Sequence, residues 1–270
     1  MNNGIAKAII IFIIGFIVIK SCSNRSDRRS ESSSTLSTWE KSPVDNLIRS
    51  LADEKNFSII LFDMDARDGK YYHQYNVIVE KPDTVQAQQT DWAEVSDVFF
   101  QANVNNMGME IATKKDGTLT KQASPAGYNH YVGNPKYGRW TERNGGSFWE
   151  FYGRYAFMSS MFNMMAYPAR RSYYDDYYRG GYYGSRPYYG PSGRNIYGTK
   201  SYTSSKTGRT STWGSKPSSF KESVRSKVSR SATQSSSRRY SSGSRSSRTS
   251  RSSSRYSSSS SRSRSGGYGK

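Results

Sequence analysis

Few residues in this chain are equipped for catalysis. It holds two histidines, His73 and His130, and a single cysteine, Cys22. No cluster with zinc-ligand spacing can be built from them. A Ser-His-acid hydrolase would need one of the two histidines as its base. The pattern instead places His73 as an exposed strand residue and His130 in a loop among tyrosines. No glycine-rich phosphate loop of the Walker or dinucleotide type is present. The remaining chemical candidates are Asp63 and Asp65, at the end of the apolar run Ile59-Ile60-Leu61-Phe62. They fail as a calcium loop counted from Asp63, because position 5 is Arg67, position 6 is Asp68 and position 12 is Gln74, where an acid, a glycine and a glutamate are required.

The strongest chemistry in the sequence is electrostatic. The chain carries 40 Lys+Arg against 21 Asp+Glu, a formal net charge of +19. Residues 201–270 hold 16 of those cations and one acid, Glu222, so they carry +15. Thirty of these seventy residues are serine. Such a segment lacks the apolar side chains that offset backbone entropy, and reads as a long disordered basic tail. Arg245, Arg248, Arg251, Arg255, Arg262 and Arg264 recur between serines. That pattern condenses on polyanions by counterion release, with strong salt dependence and little sequence preference. Anionic lipid headgroups or acidic polymers are the expected partners. Nucleic acid is disfavoured: the Arg-Ser runs resemble those of splicing factors, but no RNA-recognition domain accompanies them and the N-terminus points elsewhere.

Residues 8–19 form an unbroken apolar run between Lys7 and Lys20. Its length suits a signal-peptide core better than a spanning helix. Ile19-Lys20-Ser21-Cys22 resembles a bacterial lipobox, which implies acylation of Cys22. The alternative is an uncleaved anchor with both lysines reaching the interfaces. Either reading expects contact with membrane lipids and a place in a bacterial cell envelope. The two differ on which side the body faces, since positive charge after the run favours the cytoplasm for an uncleaved helix.

Between these ends the pattern predicts an α+β domain. The expected organisation is an anchor segment over 1–22, a tether over 23–41, the domain over 42–166, a Tyr/Gly/Arg-rich low-complexity linker over 167–200 and the basic tail over 201–270. Ser42-Pro43-Val44-Asp45 has the composition of a helix N-terminus. Two strands flank Asp68-Gly69, with Tyr71, Tyr75, Val77 and Val79 on one face, and two more flank Asp116-Gly117; both read as hairpins. Asp91–Glu94 reads as a capping box before a helix through Val95, Val98, Phe99 and Ala102. The order is α-β-β-α-β-β, a small two-layer domain with antiparallel hairpins and helices. Residues 125–146 should be an ordered loop anchored by Tyr131, Tyr137 and Trp140. Ser147–Glu150 reads as a third capping box, opening a C-terminal apolar helix that runs to Pro168. Its Phe148, Trp149, Phe151, Phe157, Met158, Met161 and Phe162 would either cover the sheet or dip into a membrane surface.

Ile59–Asp65 also resembles the first motif of haloacid-dehalogenase-type phosphotransferases, a strand ending in Asp-x-Asp. The resemblance implies Asp63 as nucleophile, Asp65 as general acid-base and a magnesium ion. It also implies a parallel sheet, whereas the hairpins here imply an antiparallel one. Separately, Gly133–Trp140, Phe148–Gly153 and the ending Ser265–Lys270 are similar to uncharacterised bacterial envelope proteins with Ser/Arg/Gly-rich tails, and that likeness carries no activity. The reading from sequence is therefore a non-enzymatic, membrane-tethered envelope protein with no cofactor. A phosphate-handling enzyme and a low-specificity nucleic-acid binder are the alternatives.

Overall fold

The computed structural model describes residues 42–242, with side chains through Ser231. Cys22, the apolar run 8–19 and the six tail arginines lie outside the described residues. Among the described residues no helix is long and apolar enough to cross a membrane.

The fold is α+β and its sheet is antiparallel. Helix α1 (Pro43–Ser50) starts as the sequence predicts: Ser42 caps it, Pro43 follows, and Asp45 completes a capping box. Strands β1 (Phe57–Arg67) and β2 (Lys70–Glu80) pair around Asp68-Gly69, both with positive φ (52° and 75°). Two short strands that the sequence reading missed, β3 (Val85–Gln89) and β4 (Ala93–Val95), both pair with β2. Ala93 and Glu94 thus belong to a strand, and helix α2 (Asp97–Asn103) is capped by Ser96 instead of Asp91. Strand β5 (Met109–Lys115) returns beside β1, and β6 (Thr118–Thr120) turns back on it at Asp116-Gly117. A two-residue β7 (Ser124–Pro125) also meets β5, and the strand order is β3-β2-β1-β5-β6.

The expected apolar helix over 147–166 is not formed. Asn144 and Gly145 adopt positive φ (48° and 72°) and join β8 (Gly138–Arg143) to β9 (Gly146–Phe151). Two consecutive positive-φ residues make the tight turn that matches strand twist. Trp140 and Trp149 face each other across the pair at 5.2 Å between ring centroids. In the remaining stretch only a 3-10 turn at Gly153–Tyr155 and the five-residue α3 (Phe157–Met161) are helical.

Both faces of the large sheet are covered. On one, Ile59, Leu61, Tyr75 and Val77 pack with Val44 and Leu51 from the N-terminal helix region, Phe100 of α2, and Tyr202, Trp213, Val224 and Val228. On the other, Ile60 and Ile78 pack with Tyr128, Tyr131, Tyr137, Trp149, Phe162, Tyr177 and Tyr188. Segment 167–200, expected to be a low-complexity linker, contributes α4 (Arg171–Arg179) and the buried Tyr177 and Tyr188. The first part of the expected tail is also built into the domain. It forms α5 (Thr199–Ser204), α6 (Lys206–Arg209), α7 (Thr212–Ser215) and the 25-residue α8 (Ser218–Ser242).

Candidate functional site

The acid pair that looked catalytic holds the chain's own C-terminal segment. β5 pairs with β1 only over Phe57–Ile60, and α7 packs against β1. There the Asp63 carboxylate accepts the Thr212 N–H at 2.6 Å and the Trp213 N–H at 3.0 Å, and also bonds the Met64 N–H at 2.8 Å. These are the first donors of α7, which have no partner within the helix, and a carboxylate is the group that a helix N-terminus attracts. Asp65 pairs with Lys216 at 3.1 Å, just past the same helix, and lies 3.8 Å from Arg67. Both carboxylates are buried. The strand that carries them is antiparallel to both neighbours, unlike the parallel arrangement the phosphotransferase resemblance implies. Ala66-Arg67 ends that strand and Asp68-Gly69 forms the hairpin turn.

Around this clamp the root of the basic segment is interlocked. Ser205 caps α6 by accepting from Gly208 N–H at 3.0 Å, and Ser211 caps α7 by accepting from Gly214 N–H at 3.0 Å. Trp213 is fully buried, 5.7 Å edge-on to Phe100 and 6.4 Å from Phe220. A Cβ on Gly208 would collide with the Tyr202 carbonyl. Along α8, Phe220, Val224 and Val228 recur every fourth residue and face the core, packing beside α2. Arg225 donates to Asn105 at 3.1 Å and Lys221 to the Gly214 carbonyl at 2.8 Å. Lys227 and Arg230 stand exposed on the outer face.

His73, Glu110 and Tyr177 are among the other buried ionisable groups. His73 is fully buried, contrary to its reading as exposed. It occupies the inward parity of β2 shared by Tyr71, Tyr75 and Val77. Its Nδ1 lies 3.2 Å from the Tyr75 hydroxyl, and its ring packs on Phe99 and Phe100. Burial drives its pKa down to about 3, so it is neutral at physiological pH. Glu110 accepts from Gly127 N–H at 3.0 Å and Asn129 Nδ2 at 3.1 Å, and burial raises its pKa. Tyr177 donates to Asn129 Oδ1 at 2.7 Å, which ties the tyrosine-rich layer to the sheet.

Glu80 closes the lower end of β2. It accepts from Asn56 Nδ2 at 3.0 Å, lies 2.6 Å from His130 Nε2 and pairs with Lys136. Burial favours its neutral form, but donors from Lys136, Tyr137 and His130 outweigh that and hold it at about 2. His130 sits among tyrosines as expected, 4.7 Å from Tyr131 and 5.7 Å from Tyr137 by ring centroids. Burial outweighs the pull of Glu80 and lowers its pKa.

Among the described residues no group of three or more His, Cys, Asp or Glu side chains could hold a metal ion. A cavity of about 20 Å³ between Tyr128, Phe162, Tyr197 and Tyr202 has room for a single water. An open cleft of about 410 Å³ lies between Glu142, Arg170, Arg171 and Asp175, with both charge signs on its walls. The sequence reading did not find Trp213 or Tyr202. The visible signals were the repeated Ser-x-x-Gly of Ser205–Gly208 and Ser211–Gly214, and the four-residue spacing from Phe220 to Val228.

The chain matches no protein-family model, no curated protein and no solved structure.

Proposed function

We propose that this is a non-enzymatic, membrane-tethered protein of the bacterial cell envelope whose folded domain mounts a cationic C-terminal arm for binding anionic polymers or lipid headgroups. The observation that carries the reading is the way residues 199–231 are fixed. Asp63 grips the start of α7, Trp213 fills the core beneath it, and α8 continues to Ser242 with Lys227 and Arg230 exposed. Asp63 and Asp65, the acids the phosphotransferase resemblance would use, are committed to that mounting. Residues 243–270 follow directly, with seven Lys+Arg and no acid.

Retention of the full chain on anionic vesicles or an acidic polysaccharide is the test, measured across a salt series beside a chain ending at Ser242. Each cation engaged adds to the dependence of affinity on salt. The shortened chain should bind more weakly and with a shallower salt dependence. Equal retention and equal slope would refute the proposal. Intact mass of the mature N-terminus separates acylated Cys22 from an uncleaved anchor.

A further inference from the structure

We infer that the turn-rich segment Tyr152–Arg170 is a second membrane contact, an apolar tip that seats the folded domain on an anionic lipid surface. This rests on the membrane-tethered reading. Most of the apolar side chains that suggested an interfacial helix point inward: Trp149, Phe151, Met158 and Phe162 are buried. A different set is left outside. Met165 is 85% exposed, Tyr152 42% and Phe157 39%, and Ala156, Ala166 and Pro168 are exposed beside them in sequence. Met165 stands bare in water next to exposed Ala166 and Pro168, an apolar exposure of the kind that marks a contact surface.

The backbone holds these residues out on a firm base. Phe162 N–H bonds the Met158 carbonyl at 2.8 Å, and Met164 N–H bonds the Ser159 carbonyl at 2.8 Å, closing one turn before Asn163 and one around it, where Asn163 takes a positive φ of 54°. Phe162 and Met164 are drawn into the core, while the next residue, Met165, is turned out.

Charge selects the occupant. Residues 152–170 contain Arg154 and Arg170 and no acid. Arg154 lies 4.7 Å over Tyr155, and Arg170 5.1 Å over Phe148. Exposed apolar side chains flanked by arginines that lie along aromatic rings match an interface of acyl chains and anionic headgroups. The same chain carries the apolar run 8–19.

Hydroxyl-radical footprinting of the full chain, with and without phosphatidylglycerol/phosphatidylethanolamine vesicles, tests this. Modification of Met165, Phe157 and Tyr152 should fall several-fold on vesicles. Leu119 and Tyr183, comparably exposed elsewhere, should be unchanged. A Phe157→Ser/Met165→Ser chain should still sediment with vesicles but lose the protection of Tyr152. For the unsubstituted chain, sedimentation without local protection overturns this inference and leaves the tether standing. Failure to sediment overturns both. Protection that grows with protein concentration in the absence of vesicles would assign the tip to self-association and overturn the lipid contact.

Discussion

Replacing Trp213 with alanine tests whether the basic segment is part of the folded domain. Its indole is fully buried between Phe100 and Phe220, on the helical face of the sheet. An aromatic of this kind buries ~150–250 Å², which at ~25 cal/mol per Å² is roughly 4–6 kcal/mol of transfer free energy. Measured Trp or Phe to Ala losses of about 3–5 kcal/mol, cavity included, are the better guide. For a domain of this size that lowers the melting midpoint by roughly 6–20 °C, at about 2–4 °C per kcal/mol. Urea unfolding followed by tryptophan fluorescence and far-UV circular dichroism gives the free energy. A chain ending at Ser242 is the control and, on the proposed reading of 243–270 as a basic arm, should differ by under about 0.5 kcal/mol. A Trp213→Ala loss below about 1 kcal/mol would mean that α7 contributes little to the fold, and the mounting argument would fail with it.

Asp63→Ala should cost about 2–4 kcal/mol, because it strips charge-assisted bonds from the Thr212 and Trp213 N–H groups and leaves them short of acceptors; a double-mutant cycle with Trp213→Ala should be non-additive, since both hold α7, and strict additivity would separate the two. Glu80 predicts the acid limb of stability. Its pKa is about 2 in the fold against an ordinary 4.5, so its contribution is complete above pH 4.5 and is lost as pH falls toward 2. Glu80→Gln should flatten stability over that window, and an unchanged slope would assign the limb to other groups.

The hairpins at Asp68-Gly69 and Asp116-Gly117 and the Ser42 cap were legible because each rests on a local rule of backbone geometry. Asn144-Gly145 obeys the same rule and was obscured by Ser147 and Glu150, whose spacing imitates a capping box. The alternation of buried Trp149 and Phe151 around exposed Glu150 was the discriminating signal. His73 was misplaced because polarity was weighed above parity. A neutral imidazole near the Tyr75 hydroxyl and packed on two phenylalanines fits an inward position. Residues 167–200 were misread for a different reason. Their core is built from tyrosine, and composition counts a Tyr/Gly/Ser-rich stretch as simple. Tyrosine can nonetheless bury a ring if its hydroxyl finds a partner. Here Tyr177 reaches Asn129, Tyr188 reaches Asp176 at 2.9 Å, Tyr178 reaches the Tyr128 carbonyl at 3.0 Å and Tyr128 meets Tyr197 at 2.7 Å.

The way the root is fixed also suits a cationic arm. Were it held only by exposed salt bridges, any polyanion would compete for the same lysines and arginines and peel it away, as would salt. Lys216–Asp65 is open to that competition on the lysine side, which is partly exposed. Asp63 is not. Its partners are backbone N–H groups at a helix start, beneath which Trp213 is packed, and no arriving anion can take them without unseating the indole. The attachment therefore relies on a buried carboxylate and an aromatic, and it leaves Lys227 and Arg230 exposed on the outer face of α8. On the function proposed above, the arm would bind and release polyanions through its cations while the buried carboxylate and indole keep the domain folded.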